Sequence, residues 1–351
     1  MFLDDRKRRI LRAIIDDYID TAEPIGSRTI ARKHELGLSS ATIRNEMADL
    51  EEMGYLAQPH TSAGRIPSDK GYRLYVDNLM GIRELTLEEI ESIKEAMEVR
   101  INELGQLIRQ ASVILSRITK YTSMAITPQM KKSILRTVQV VPIESSKALV
   151  IVVTNAGIVR NCMMKIPEKA EPQDLVRVSN ILSEKLCGCT IEQINQQTIK
   201  DVEHEIGISK ELLLPVLDGV SECIGQIDNP EVYLEGTTNI FNYPEFRDIM
   251  KAKGFLNVLD EKDVLYKLLN SHLENDSRIN VQIGTENELD EIKDCSLVTT
   301  TYRIGDIVIG SMGVIGPTRM EYPKVISSMN YIRNQINRQL DRIVGQITDD
   351  S

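Results

Sequence analysis

An α+β fold of several domains is what this sequence predicts, and three features carry the prediction. At 351 residues the chain is too long for one ordinary hydrophobic core, so two or three domains are expected. Its first part repeats apolar residues at three- and four-residue steps and then breaks into a short polar hairpin. Further on, apolar runs bounded by turn residues read as strands lying among more helices.

The first helix is expected from Asp4 or Asp5 to about Thr21, where Leu11, Ile14, Ile15 and Tyr18 share a face that Ile10 and Ile19 widen. Pro24 bars its continuation. Gly26-Ser27 then opens a short second helix with Ser27 as cap; Ile30 and Ala31 point inward, while Arg28, Arg32 and Lys33 point out toward any phosphate. Gly37 ends that turn, and Ser39 or Ser40 caps a third helix. At about 100° per residue, Ile43, Met47 and Leu50 fall on one edge of it. Ala41, Asn45 and Ala48 lie opposite, flanked by Thr42 and Arg44. Gly54 closes the helix. Tyr55–Gln58 and Arg65–Ile66 form two strands around a polar loop, Pro59 to Gly64, that carries His60, Thr61 and Ser62. Pro67-Ser68 caps a fourth helix, whose Tyr72 and Tyr75 return to the small core and whose Lys70 and Arg73 remain available for phosphate.

Three helices followed by a hairpin make a winged helix-turn-helix, which lays its third helix in the DNA major groove and its hairpin alongside. Asn45 has the donor and acceptor to bridge an adenine, Arg44 suits guanine or a phosphate, and Thr42 or Ala41 can touch a thymine methyl. Arg65, at the base of the loop, suits backbone or minor-groove contact. Plainer readings stand beside these: solvated positions on an amphipathic helix, a surface ion pair for Arg65, a buried structural imidazole for His60.

The charge of −10 argues against a protein that coats nucleic acid without preference. The first eighty residues hold twelve Lys and Arg against thirteen Asp and Glu, so the reader is merely less acidic than the rest. Selectivity must then come from where its cations sit. No apolar run approaches the roughly 18–20 residues a membrane helix needs, and the start lacks a signal core, so a cytoplasmic protein is expected. Five cysteines, with the close pair Cys187 and Cys189, lack the partners of a zinc site, and no metal or cofactor is expected. GxxxxGKS, HExxH and GxSxG are all absent, which disfavours an enzyme.

From Thr86 to about Tyr121 a helical run spaces Ile90, Ile93, Met97, Ile101, Leu104, Ile108, Ala111, Leu115 and Ile118 as a coiled-coil seam or as a helix packed on a neighbouring domain. Strands are expected at Leu135–Pro142, Ala148–Thr154, Ile158–Ile166, Leu297–Arg303 and Ile307–Val314, with turns at Asn155-Ala156-Gly157 and Ile304-Gly305-Asp306. Helices are expected near 172–187, 209–227, 244–253, 261–274 and 322–345.

The stretch SSATIRNEMADLEEMGYLAQPHTSAGRIPSDKGYR, preceded by DDYIDTAEPIGSRTI, closely resembles the heat-inducible transcription repressor family HrcA. GIVRNCMMKIP, YLEGTTNIFNYPEF and GSMGVIGPTRMEYPKVISSMNYI extend the likeness over the chain. The resemblance implies a repressor that binds, as a homodimer, an inverted-repeat operator called CIRCE before chaperone operons, and that the chaperonin GroEL keeps competent. It implies a winged-helix domain at 1–80, a helical linker at 81–130, a GAF-like domain at 131–167 and 233–351, and an inserted dimerising segment at 168–232. It carries DNA contact onto Ser39, Ser40, Thr42, Arg44, Asn45 and Arg65; Arg28, Lys70 and Arg73 join them as phosphate candidates. Inactivation by heat is expected to follow from marginal stability of the assembly. The rival is a ligand-responsive regulator with a small-molecule pocket in the GAF-like domain, for which Gly310, Gly313, Gly316 and Pro317 are the most suggestive string.

Overall fold

The computed structural model describes residues 3–60, 63–97, 104–126, 134–155, 158–194, 209–228, 231–270, 279–304 and 307–349. Helix α1 (Asp5–Thr21) starts where Asp4 accepts the Lys7 amide and stops at Ala22, which adopts a left-handed turn. Its stripe of Ile10, Leu11, Ile14 and Ile15 is fully buried. Helix α2 (Ser27–Lys33) has Gly26 rather than Ser27 in the capping position, so Ser27 is already helical. Helix α3 (Ser40–Glu52) is capped by Ser39, whose hydroxyl accepts from the Thr42 amide at 3.1 Å. Ile43, Met47 and Leu50 face inward, each contributing roughly 1.5–3 kcal/mol by leaving water. Gly54 turns the chain with φ of +79°, a conformation that costs glycine nothing.

Strands β1 (Leu56–Ala57) and β2 (Ile66–Pro67) pair antiparallel, and Ile25 adds a bridge to Arg65 that ties the hairpin to the start of α2. Ser68 caps α4 (Asp69–Leu74), which runs on into a π-turn at Tyr75–Leu79. The long run expected from Thr86 is described as α5 (Leu87–Met97) and α6 (Leu104–Thr119), with Ile101 outside the described residues. Leu107, Ile108, Ala111, Ile114 and Leu115 are buried, so α6 packs on the body as the second of the two readings had it.

That body is an antiparallel sheet of five strands. Its members are β3 (Thr122–Ile126), β7 (Val232–Glu235), β8 (Asn280–Ile283), β9 (Cys295–Ile304) and β10 (Ile307–Pro317), in the order β7-β3-β10-β9-β8. Alternate residues point to opposite faces. Ala125, Met312 and Val314 join α6 and the closing helix α11 (Tyr322–Asp349) in the main core. Met124, Ile126 and Ile315 meet Phe255 and Leu259 of α9 (Ile249–Asp260) and Leu265 and Leu269 of α10 (Lys262–Asn270) on the other side. The helix expected near 244–253 thus begins five residues later, after a short 3-10 turn at Pro244–Phe246.

Between β3 and β7 the chain leaves this sheet. Strands β4 (Leu135–Glu144), β5 (Lys147–Thr154) and β6 (Val159–Lys165) pair only with one another among the described residues. Helices α7 (Pro172–Leu186) and α8 (Lys210–Asp228) cover one face, burying Leu175, Val178, Leu182, Val216 and Val220 against Val138, Val150 and Val152. Ser179 and Ser183 accept from the amides of Val140 and Val138, blocking that edge. The other face carries Val141, Ile143, Val159 and Met163, all large and exposed. The β4–β6 strands were expected in one layer with the later strands; they form a sheet of their own.

Candidate nucleic-acid interface

The inner edge of α3 is spent on the core, which leaves Ala41, Arg44, Asn45 and Ala48 exposed in a row on its outer face. The side chains of Arg44 and Asn45 make no hydrogen bond or ion pair to another described residue, so both keep their full donor capacity. Small side chains beside them allow close approach of the helix backbone. Thr42 is half-buried, and its hydroxyl lies 2.9 Å from that of Ser39. The cap thus engages part of the polar capacity of both, and Ser40 is half-buried beside them.

A groove of about 490 Å³ runs between α2, α3 and the hairpin, lined by Arg28, Arg44, Arg65, Gln58 and Met47. Three guanidinium groups from three separate elements therefore border one concavity. Arg28 is exposed and without an ion pair among the described residues. Arg65 is held: its backbone exchanges two hydrogen bonds of 2.9 Å with Ile25, and its Nη2 pairs with Glu51 at 2.7 Å. Its Nε is buried without an acceptor. The ion-pair reading of Arg65 is therefore correct in geometry. Backbone crowding sets this shape, since a Cβ on Gly64 would stand 2.4 Å from the Ile25 carbonyl oxygen. His60 is exposed rather than buried, and Thr61 and Ser62 lie outside the described residues.

Two of the cations expected to be available for phosphate are committed elsewhere. Lys70 donates to the Met53 carbonyl at 2.8 Å and stands 4.5 Å from the Tyr55 ring centroid, at the carboxyl end of α3 where a cation is favoured. Arg73 turns toward the five-stranded sheet: its Nε reaches Glu286 at 2.8 Å, and Nη2 reaches Glu286 and the Val281 carbonyl. Its hydrogen bonds to Glu286 hold the guanidinium above its ordinary pKa. Lys33 is likewise bonded to buried Asp17, which raises its pKa.

Acidic groups on the flank of α3 are neutralised from α1. Lys7 lies 2.6 Å from Glu46 and 2.9 Å from Asp49, and Arg6 lies 3.3 Å from Glu46. Hydrogen bonding to Glu46, then to Asp49, pushes the Lys7 pKa up. This network fixes α3 on α1 and cancels charge that would repel phosphates. Nothing in the local pattern of either helix pointed to it.

The glycine string of β10 is neither a turn nor a ligand cradle. A Cβ on Gly310 would stand 2.3 Å from the Tyr302 hydroxyl, one on Gly313 2.9 Å from Leu269, and one on Gly316 2.6 Å from the Tyr121 ring. These glycines make room for side chains packed across a central strand. All five cysteines are free thiols; Cys223 is buried, and burial pushes its thiol up to about 12. Among the described residues no three His, Cys, Asp or Glu side chains cluster as metal ligands, and no helix is long and apolar enough to cross a membrane.

Residues 105–326 match the model of the HrcA protein C-terminal domain. The chain is 58% identical over 346 residues to the heat-inducible transcription repressor HrcA of Acetivibrio thermocellus, covering 99% of both proteins. It is 60% identical over 345 residues to the HrcA of Ruminiclostridium cellulolyticum, covering 98% of this chain and 99% of that protein. The fold is similar to that of a crystal structure described as a hypothetical protein, at a TM-score of 0.71 and 22% identity, with 97% of this chain and all of that one covered. Identity at this level over essentially the whole length settles the family: the chain belongs to the HrcA heat-inducible transcription repressors.

Proposed function

We propose that the chain represses chaperone operons by binding, as a homodimer, an inverted-repeat operator of the CIRCE type. Residues 1–80 act as a winged helix-turn-helix. Its α3 enters the major groove with Asn45 and Arg44 at base edges, and its hairpin lies alongside. The observation that carries this reading is the exposed, unengaged pair Arg44 and Asn45 beside a groove bordered by Arg28 and Arg65. Arg28 serves a backbone phosphate, and Arg65 holds the hairpin against α3 and the start of α2 beside the duplex; Thr42, with Ser39 and Ser40 at the helix start, lies where the first base and phosphate contacts form.

The five-stranded sheet with helices on both faces corresponds to the GAF-like domain; because β3 and the buried α6 belong to it, the linker is drawn to end before Leu104 rather than at 130. The inserted dimerising segment is drawn at 134–228 rather than 168–232, because β4–β6 share a sheet and a core with α7 and α8. Val141, Ile143, Val159 and Met163 on its open face support pairing with a second copy, since apolar sheet faces of this kind are seldom left in water. Phe241, Ile249 and Met250, exposed at 56%, 80% and 75%, offer an apolar surface of the sort the chaperonin GroEL would hold. Heat relieves repression by lowering the population of folded dimer, because a monomer holds only one half-site.

Footprinting on random-sequence duplexes, with the mass of the complex measured, tests the reading. Protection of an inverted repeat by two chains is expected. Uniform protection, or one chain per site, contradicts it.

A further inference from the structure

The reader does not hang from its linker. Three contacts with residues distant in sequence fasten it to the body built on the five-stranded sheet. Arg73 forks onto Glu286 and the Val281 carbonyl. Asp69 accepts from both the amide and the hydroxyl of Thr285, each at 2.9 Å. From α1, the Ile19 carbonyl accepts at 2.9 Å from Arg319, which is only 9% exposed and pairs with Glu245. Behind these, the buried rings of Tyr72 and Tyr322 meet at 6.0 Å between centroids.

Directional hydrogen bonds from two helices of the module, α1 and α4, fix its rotation as well as its place, which apolar packing alone would do only loosely. The body is shaped for the contact. Gly284 has φ of +55°, and a Cβ there would stand 2.3 Å from the Asp69 carboxylate. Glu286 is itself oriented by the Ile283 amide at 2.8 Å. Without the contact, the reader would be tethered by residues 80–86, which carry no helix or strand and span up to about 25 Å when extended.

We propose that this contact is a positioning clamp, with Arg73, Asp69, Gly284, Thr285 and Glu286 as positioning residues that set the half-site separation the dimer accepts. The inference rests on the operator reading above. α3 is locked to α1 through Lys7, so fixing α1 and α4 on the body fixes the reading helix relative to the dimer axis. Each base pair added between half-sites turns the second one by about 34–36° about the duplex. A clamped pair of readers tolerates little of that; a tethered pair tolerates more, at a lower effective concentration.

The test uses the full-length protein and Glu286→Ala and Gly284→Ala, which alter the body and leave every proposed DNA contact in place. Duplexes carry either one half-site or both, taken from the footprinted inverted repeat, with the spacer changed one base pair at a time. The wild type is expected to lose about tenfold or more when the spacing departs from its optimum by two base pairs. Both variants are expected to bind a single half-site as the wild type does, to bind the optimal repeat about tenfold more weakly, and to show a nearly flat spacing profile. Small-angle scattering without DNA should show both variants expanded. The clamp is overturned if the variants expand yet keep the wild-type profile, if neither expands, or if either binds the optimal repeat more tightly. Should the wild type itself show no preference for a repeat over a half-site, the operator reading fails, and scattering alone decides whether these residues hold the reader.

Discussion

Asn45 and Arg44 sit where α3 turns its polar face outward, and nothing in the described protein competes for their donors. Asn45→Ala should therefore cost roughly 1–3 kcal/mol of operator affinity and relax preference at a single base pair, measured by titration against a set of operator variants. Unchanged affinity and preference would remove Asn45 from the base-reading set. Arg28→Ala should weaken binding equally across sequences and reduce the slope of log affinity against log salt by about one, the signature of a lost phosphate contact. The exposed face and the Ser39 cap were legible in sequence because both depend on neighbours within four residues. The engagement of Arg73 was not, since its partner Glu286 lies 213 positions away and no local pattern announces it.

Among the elements, the helices with a clean apolar stripe fell where their periodicity put them, α1, α3, α7 and α11 among them. Strands β3, β7 and β8 went unseen. β3 is buried on both faces, so TSMAI shows no alternation, and β7 and β8 have only four residues each. The division into two sheets was hidden for a related reason: pairing partners are non-local, and β10 meets β3 across nearly two hundred residues. Tight packing at β10 gives a test of the glycine reading. Gly310→Ala should destabilise the protein by about 1–3 kcal/mol, seen as a lower urea midpoint with unchanged slope, because the Ile126 carbonyl at 2.9 Å and the Tyr302 hydroxyl leave no space. A neutral effect would mean that the strand can shift to admit a methyl. On the open face of β4–β6, Met163→Asp should convert the dimer to monomer in sedimentation at micromolar concentration while each chain stays folded; an unaltered dimer would place the interface elsewhere.

The whole molecule comprises a small amino-terminal helical module, a five-stranded body and, between β3 and β7, a three-stranded unit whose apolar sheet face is exposed in the single chain. Such an assembly couples stability to association, so its melting temperature should rise with protein concentration, and operator release on warming should coincide with loss of folded dimer. Release without dimer loss would point to a local change in the reader instead. Two chains held on one duplex as proposed would multiply their affinities. The most direct measurement is a titration, with stoichiometry resolved by mass, of the footprinted inverted repeat against the same duplex with one half-site scrambled. The account predicts two chains on the intact repeat and at least about a hundredfold weaker binding to the scrambled one. Equal affinity for both duplexes, or a single chain on the intact repeat, would contradict it.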